Sequence, residues 1–337
     1  MWREREANSP RSPAFARFQP GRILAPMTAV LPTTPAQTRR ALAGVMLTVC
    51  LWGGNVVLLK ALLVRGHLNA ETINLGRFVL AGAVLVGLSV HAHGWPRWDA
   101  RTWGQVALVG LLGNSLFQAC FLTAIRANPA GVAGLVNGIV PVLVVPLGLL
   151  LGQRATGRQI GGVALAFAGL LGLLLGTRQP GMAVTPGGFA WVLAAAGTWA
   201  LYTLWNRPLT ARLGAIPFVA FSLALGCVPY VVWALPHLTP PGAVPAWGWG
   251  GILLSALGAN VVAYVAWANG ARVLGAARTS VWNTVAPAVA LLLSAGVLHE
   301  RLPPGVWLAA LVILAGAALA NWPRASAAEA RADAVGR

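Results

Sequence analysis

The chain has 337 residues, 57% of them hydrophobic and only 9% charged, and its mean hydropathy is +0.71. Soluble globular chains carry about 25% charged residues, so this composition excludes a soluble domain and predicts an integral membrane protein. The net charge of +17 does not point to nucleic acid, because the arginines stand singly between apolar runs, with no basic stripe or aromatic RNA-binding motif.

Residues 1–39 are rich in Arg and Pro and hold no long apolar run. They read as a disordered cytoplasmic tail. The stretch Ile23–Leu31 is short and broken by Pro26, which argues against a cleaved signal peptide. Met27 is an expected start, since Met27–Arg40 is itself a sufficient basic leader. Ten apolar runs follow, at 41–64, 71–91, 103–125, 130–151, 158–176, 187–206, 214–235, 246–271, 277–298 and 303–321. Each is near the roughly 20 residues that cross a bilayer as a helix. A second cytoplasmic tail, 322–337, closes the chain. Short connections predict antiparallel neighbours, and Gly161, Gly162, Gly169 and Gly172 predict close helix approach. Cys50, Cys120 and Cys227 all lie in apolar runs without metal or redox spacing, so no metal or cofactor is expected.

Orientation follows from the cations. With the N-terminus inside, 18 of the 24 Lys and Arg fall in cytoplasmic segments. Four (Arg65, Arg126, Arg178, Arg301) fall on the other side, and Lys60 and Arg77 lie within runs. This bias predicts a multi-pass inner-membrane protein with both termini cytoplasmic. Trp95, Trp98, Trp103, Trp233, Trp247, Trp249, Trp307 and Trp322 sit near run ends, as interfacial anchors do.

The runs repeat. A shift of 146 residues carries Asn114 to Asn260, Gln118 to Tyr264, Phe121 to Trp267, Arg126 to Arg272, Asn137 to Asn283 and Pro141 to Pro287. A shift of 147 carries Trp52 to Trp199 and Lys60 to Arg207. Five helices per unit is an odd number, so the second unit must enter the membrane upside down. The predicted fold is an all-α membrane protein of ten transmembrane helices, built as two inverted five-helix repeats over 41–176 and 187–321.

Both units place Asn four residues before Pro, as Asn137 and Pro141 and again as Asn283 and Pro287. Proline has no N–H, so the Asn carbonyl four residues back loses its helical donor. Lipid cannot replace that donor, so the paired breaks predict hinges facing a cavity. Asn114, Gln118 and Phe121 fall on one helix face, which Asn260, Tyr264 and Trp267 repeat. A central substrate cavity and plain helix–helix hydrogen bonding both account for these polar residues; the paired set favours the cavity. Trp52, Asn55, Trp199, Tyr202, Trp282 and Asn283 are further lining candidates. Lys60 and Arg77 sit roughly 6–9 Å below the outer helix ends. Lys60 reads equally as a snorkelling side chain and as a site cation. Arg77 is deeper, where charge is costly and is held by protein or water. No acid lies in the hydrophobic interior of a run, Glu71 standing at a run edge, and Glu300 is expected to favour the N-terminus of the tenth helix. The site therefore suits a carboxylate or zwitterion.

The ordered pieces Leu51-Trp-Gly-Gly-Asn55 with Lys60, Gly76-Arg-Phe78, Gly110-Leu-Leu-Gly113, Ala127–Pro141, Gly152–Gly161, Gly258–Pro287 and His299-Glu-Arg-Leu-Pro303 resemble the drug/metabolite transporter superfamily, specifically its ten-helix EamA family. The resemblance covers residues 41–321 and departs at Gln153, where the family's first repeat usually has Glu. It implies a secondary transporter, not an enzyme, that exports or exchanges small metabolites such as amino acids across the bacterial inner membrane. The expected partners are a small-molecule substrate and the lipid bilayer, with monomer and homodimer both open. An exporter of drug-like solutes, a channel and an intramembrane enzyme are the alternatives. The enzyme reading lacks support: His299-Glu300 has no second His for a metalloprotease, and there is no Gly-x-Ser-x-Gly or Walker A sequence.

Overall fold

A computed structural model describes residues 34–152, 155–176, 185–274, 279 and 282–321. Met27, most of the N-terminal tail, the C-terminal tail, Gln153, Arg154, Arg178 and Arg278 lie outside the described residues. The described chain runs through ten helical rods. These are α1 (Pro35–Val64), α2 (Ala70–His93), α3 (Ala100–Ala127), α4 (Ala130–Leu150), α5 (Gly157–Gly176), α6 (Pro186–Leu213), α7 (Ala215–His237), α8 (Ala246–Ala271), α9 (Val285–Val297) and α10 (Pro304–Asn321). No strand is present among the described residues. Seven rods, α1–α4 and α6–α8, are long and apolar enough to cross a membrane, and α9 and α10 are shorter apolar helices. Leu150 is 83% exposed and Val232 63%. Large apolar side chains facing outward in this way fit a lipid-facing surface.

The starts are set by local chemistry. Thr34 and Gln37 form a reciprocal capping box ahead of Pro35 on α1. Asn69, Asp99 and Thr185 each accept a backbone N–H at the starts of α2, α3 and α6. The Asp99 carboxyl is held below its ordinary pKa by Thr102, whose donors favour the ionised form. Gly94 and Gly214 end α2 and α6 with φ of 74° and 88°, a region that favours glycine.

Two expectations are corrected. The sixth run was expected to end at 206, but α6 passes through Pro208 to Leu213; proline removes one helical bond without forcing a stop when packing holds the flanks. The start of the ninth run, expected at 277, lies outside the described residues; Thr279 and Trp282 are helical, turns stand at Asn283 and Thr284, and a regular helix runs on from Val285. The breaks lie ahead of the prolines. In α4 the turn is at Leu135, and Val136–Leu150 runs straight through Pro141. Pro287 sits in the first turn of α9, where its missing N–H costs nothing. The Asn283 carbonyl is not left bare, for it accepts the Ala286 N–H at 3.3 Å.

The packing between halves is reciprocal. α1 lies antiparallel against α8: Gly44 meets Ala266, Thr48 reaches Ala263, Trp52 reaches Ala259 and Asn55 meets Ser255. Their partners under the sequence repeat, α6 and α3, pack the same way, with Gly188 against Asn128, Trp199 against Phe117 and Tyr202 against Gly113. α5 and α10, the last rods of the two units, also cross antiparallel. A Cβ on Gly162 would lie 2.6 Å from the Gly316 oxygen, and a Cβ on Gly316 2.6 Å from the Gly162 oxygen. Gly162 and Gly169 thus make the expected close approach, whereas Gly161 and Gly172 face open space.

Candidate functional site

Two π-helical turns position the site. Leu111–Leu116 interrupts α3 and Ser255–Val262 interrupts α8. The 146-residue shift carries 111–116 onto 257–262, so the irregularity recurs in place. A π turn bonds i to i+5, as Phe117 N–H does to Leu112, and so displaces backbone groups from the regular ladder. Side chains take up carbonyls here. Asn114 Nδ2 donates to Gly110 at 2.9 Å and to Ser222 at 3.1 Å, and Ser115 Oγ to Gly226. Trp52 Nε1 donates to Ala259 at 3.0 Å and Thr48 Oγ1 to Ala263 at 3.1 Å. The α3–α7 crossing that lets Asn114 reach Ser222 depends on glycine. A Cβ on Gly110 would fall 2.2 Å from the Ser222 oxygen, and one on Gly226 2.1 Å from the Gly110 carbonyl carbon.

Between these turns lies a narrow, partly open pocket with room for little more than a water molecule. Its wall takes Phe78 from α2, Gly113, Asn114 and Gln118 from α3, and Trp199 and Tyr202 from α6. Val219, Ser222 and Leu223 of α7 and Asn260 and Tyr264 of α8 complete it. Four predicted residues therefore meet: Asn114, Gln118, Asn260 and Tyr264. Trp199 and Tyr202 join them, and their rings touch at 4.8 Å. Phe78, Gly113, Val219, Ser222 and Leu223 were not predicted as lining. The signal for Gly113 and Phe78 was their place in the short ordered pieces. Ser222 is the polar residue of an otherwise apolar run.

Arg77 stands behind this wall, 2% exposed. Its Nη1 donates to Asn74 Oδ1 at 3.1 Å and Gln118 Oε1 at 3.3 Å, and its Nη2 to Asn260 Oδ1 at 3.5 Å. Its Nε is buried without a partner. Amide oxygens from α2, α3 and α8 thus converge on one guanidinium, and no carboxylate bonds to it among the described residues. The repeat shift carries Arg77 to Leu223, so the charge is present in one unit only.

Other predicted residues lie elsewhere. Trp52 packs behind the wall, edge-on to Tyr264 at 5.8 Å and tilted against Trp267 at 5.1 Å between ring centroids. Trp267 does not line the cavity. Phe121 stacks on Phe117 within the core. Asn55 accepts from Ser255. Asn137, Asn283 and Trp282 are half-buried away from the wall, and Asn283 Oδ1 has no partner. Lys60 neither snorkels nor lines the cavity. Its ammonium donates to the carbonyls of Ile125 at 2.8 Å, Asn128 at 2.7 Å and Arg126 at 3.4 Å, capping α3. Glu300 was expected to serve α10. It instead accepts from the backbone N–H of Ala130 at 2.8 Å and Gly131 at 3.4 Å, at the start of α4. The cation and the acid therefore hold opposite sides of one junction, where Asn128 Nδ2 also ties Ala124 at 2.8 Å to Gly188 at 3.0 Å.

The chain is similar to known proteins throughout its helical part. It is 28% identical over 290 residues to a probable terminal-alkyne amino-acid exporter of Streptantibioticus cattleyicolor, covering 84% of this chain and 93% of that protein. It is 23% identical over 293 residues to an uncharacterized inner membrane transporter, YicL, of Salmonella typhimurium, covering 84% and 95%. A solved crystal structure superposes with a TM-score of 0.58 at 21% identity, over 85% of this chain and 95% of that one, a likeness of fold alone. The profile described as the EamA-like transporter family matches residues 39–175 and 186–322. With both stretches matched, the chain belongs to the EamA-like transporter family.

Proposed function

We propose that this transporter exports or exchanges small polar metabolites, amino-acid-like or carboxylate-bearing, across the bacterial inner membrane by alternating access. One observation carries the reading: the two π turns, at matching places in the two units, bring Asn114 and Asn260 to one narrow polar pocket. Unsatisfied polar groups are costly in the interior of a membrane protein, so a cavity lined by three amides and two tyrosines fits a site that takes polar cargo. The relative named as an amino-acid exporter supports the same class of cargo. The reciprocal packing of α1 on α8 and α3 on α6, with α5 antiparallel to α10, supports an inverted five-plus-five repeat. In such a repeat the two units exchange roles between inward- and outward-open states. The Arg and Lys bias supports both termini on the cytoplasmic side.

Counterflow in proteoliposomes tests the reading. Vesicles preloaded with a mixture of unlabelled amino acids should take up labelled amino acid faster than empty vesicles. Uptake that is equal in both, at a rate that does not saturate, would mean a pore and would sink alternating access.

A further inference from the structure

The hydrogen-bond chemistry around the cavity dictates which way its amides face, and this deepens the cargo reading above, on which it rests. A guanidinium has five N–H donors and no acceptor. Gln118 and Asn260 both meet Arg77, so both must present their oxygens to it. Their NH₂ groups therefore point away from Arg77. Neither nitrogen has a partner among the described residues, neither is sealed from access, and both residues line the cavity. Asn114 is held the opposite way. Its two neighbours, the carbonyls of Gly110 and Ser222, can only accept, so its Nδ2 must face them and its Oδ1 turns outward. The wall thus offers amide donors from α3 and α8 together and one amide acceptor from α3.

We infer that Arg77 is a positioning residue that does not touch cargo: it locks Gln118 and Asn260 with their donors toward the cavity, and so makes the site select an acceptor-headed group, a carboxylate or carboxamide. The guanidinium sits behind the two amides and draws on their oxygens, which strengthens their N–H groups as donors. Because the repeat replaces Arg77 with Leu223, nothing on the α7 side sets the Asn114 amide the same way, and the cavity keeps unlike ends for the two ends of a zwitterion.

The test uses the full chain purified in detergent, with tryptophan fluorescence, in which Trp199 reports from the cavity wall. Three probes share one body: 3-phenylpropanoate, 3-phenylpropanamide and 3-phenylpropylamine. The wild type should bind the first two about tenfold or more tightly than the amine. Arg77→Met frees the amides to turn over, and the preference should fall to within roughly threefold. The double variant Gln118→Met with Asn260→Leu keeps Arg77 and should show the same collapse. Adding Arg77→Met to it should change nothing further, since residues acting as one unit are non-additive. Should the double variant keep the carboxylate preference, or should the Arg77 effect add in full, Arg77 touches cargo itself and the inference is overturned. Gln118→Glu guards against misfolding, because it gives the buried cation a partner. It should stay monodisperse, lose the carboxylate and keep the amine; carboxylate binding at the wild-type level would again overturn the inference. Wild-type protein that binds none of the three probes would remove the cavity reading and this one with it, whereas a pore-like counterflow result leaves the binding preference standing.

Discussion

Replacing Lys60 separates a structural cation from a cargo-binding one. In Lys60→Met the stem keeps its packing but three donors vanish from the end of α3. Two of the lost bonds are short, 2.8 Å to Ile125 and 2.7 Å to Asn128, and the third, 3.4 Å to Arg126, is weak. Hydrogen bonds to charged groups contribute about 1.5–3 kcal/mol each. The ammonium is only half-buried, so water reaches part of the junction and recovers part of that loss. A net destabilisation of about 2 kcal/mol is the expected result, or a fall in midpoint of roughly 4 °C for a chain of this size. The assay is thermal unfolding in detergent, followed by fluorescence-detected size exclusion, with initial transport rate measured per folded molecule on the same sample. Lys60→Arg should recover much of the midpoint, since a guanidinium can cap carbonyls too. A variant with an unchanged midpoint but lost transport would refute the capping account and return Lys60 to the cargo site.

Other outcomes follow from the same geometry. Glu300→Gln removes the charge from the opposite side of that junction and should destabilise the protein by about 1 kcal/mol, measured the same way, with transport per folded molecule unchanged. Gln118→Ala and Tyr264→Phe should reduce transport while leaving membrane abundance intact; normal transport in both would place these residues in packing. Gly113→Ala puts a Cβ 2.4 Å from the Tyr202 ring, which should displace that ring at a cost of about 1–3 kcal/mol and shrink the range of cargo accepted. Pro240→Cys and Leu302→Cys should react with an impermeant thiol reagent from outside and Trp98→Cys and Thr210→Cys should not, and the reverse pattern would overturn the proposed topology.

The sequence made the duplication readable because polar and aromatic residues interrupt apolar runs at a constant offset. Asn114, Gln118, Asn260 and Tyr264 could be grouped for that reason, and the structure puts all four on one cavity wall. The π turns were not readable, since Leu111–Leu116 and Ser255–Val262 have no side-chain signature distinct from ordinary helix. Without them, extending the face to Phe121 and Trp267 is natural, yet both fall outside the wall. The prolines were a misleading marker for the same reason that they were a visible one. A missing N–H shows where a helix can tolerate a break, and the backbone placed its turns ahead of it, at Leu135 and at Asn283–Thr284. Lys60 and Glu300 lie 65 and 170 residues from the backbone groups they cap. A single sequence states each charge but not the partner that tertiary structure supplies.

The glycine contact between α5 and α10 has a consequence for the origin of the chain. Each glycine faces the other's carbonyl oxygen at the same distance, so the surface is self-complementary, and the two rods run in opposite directions. A self-complementary patch is what a symmetric homodimer presents across a twofold axis. Two unfused five-helix chains would find the same antiparallel crossing without any linker. Fusion would then have fixed the two halves at a one-to-one ratio and released each to diverge. Arg77 on one side and Leu223 on the other are such a divergence, a difference between halves that identical subunits of a homodimer could never carry.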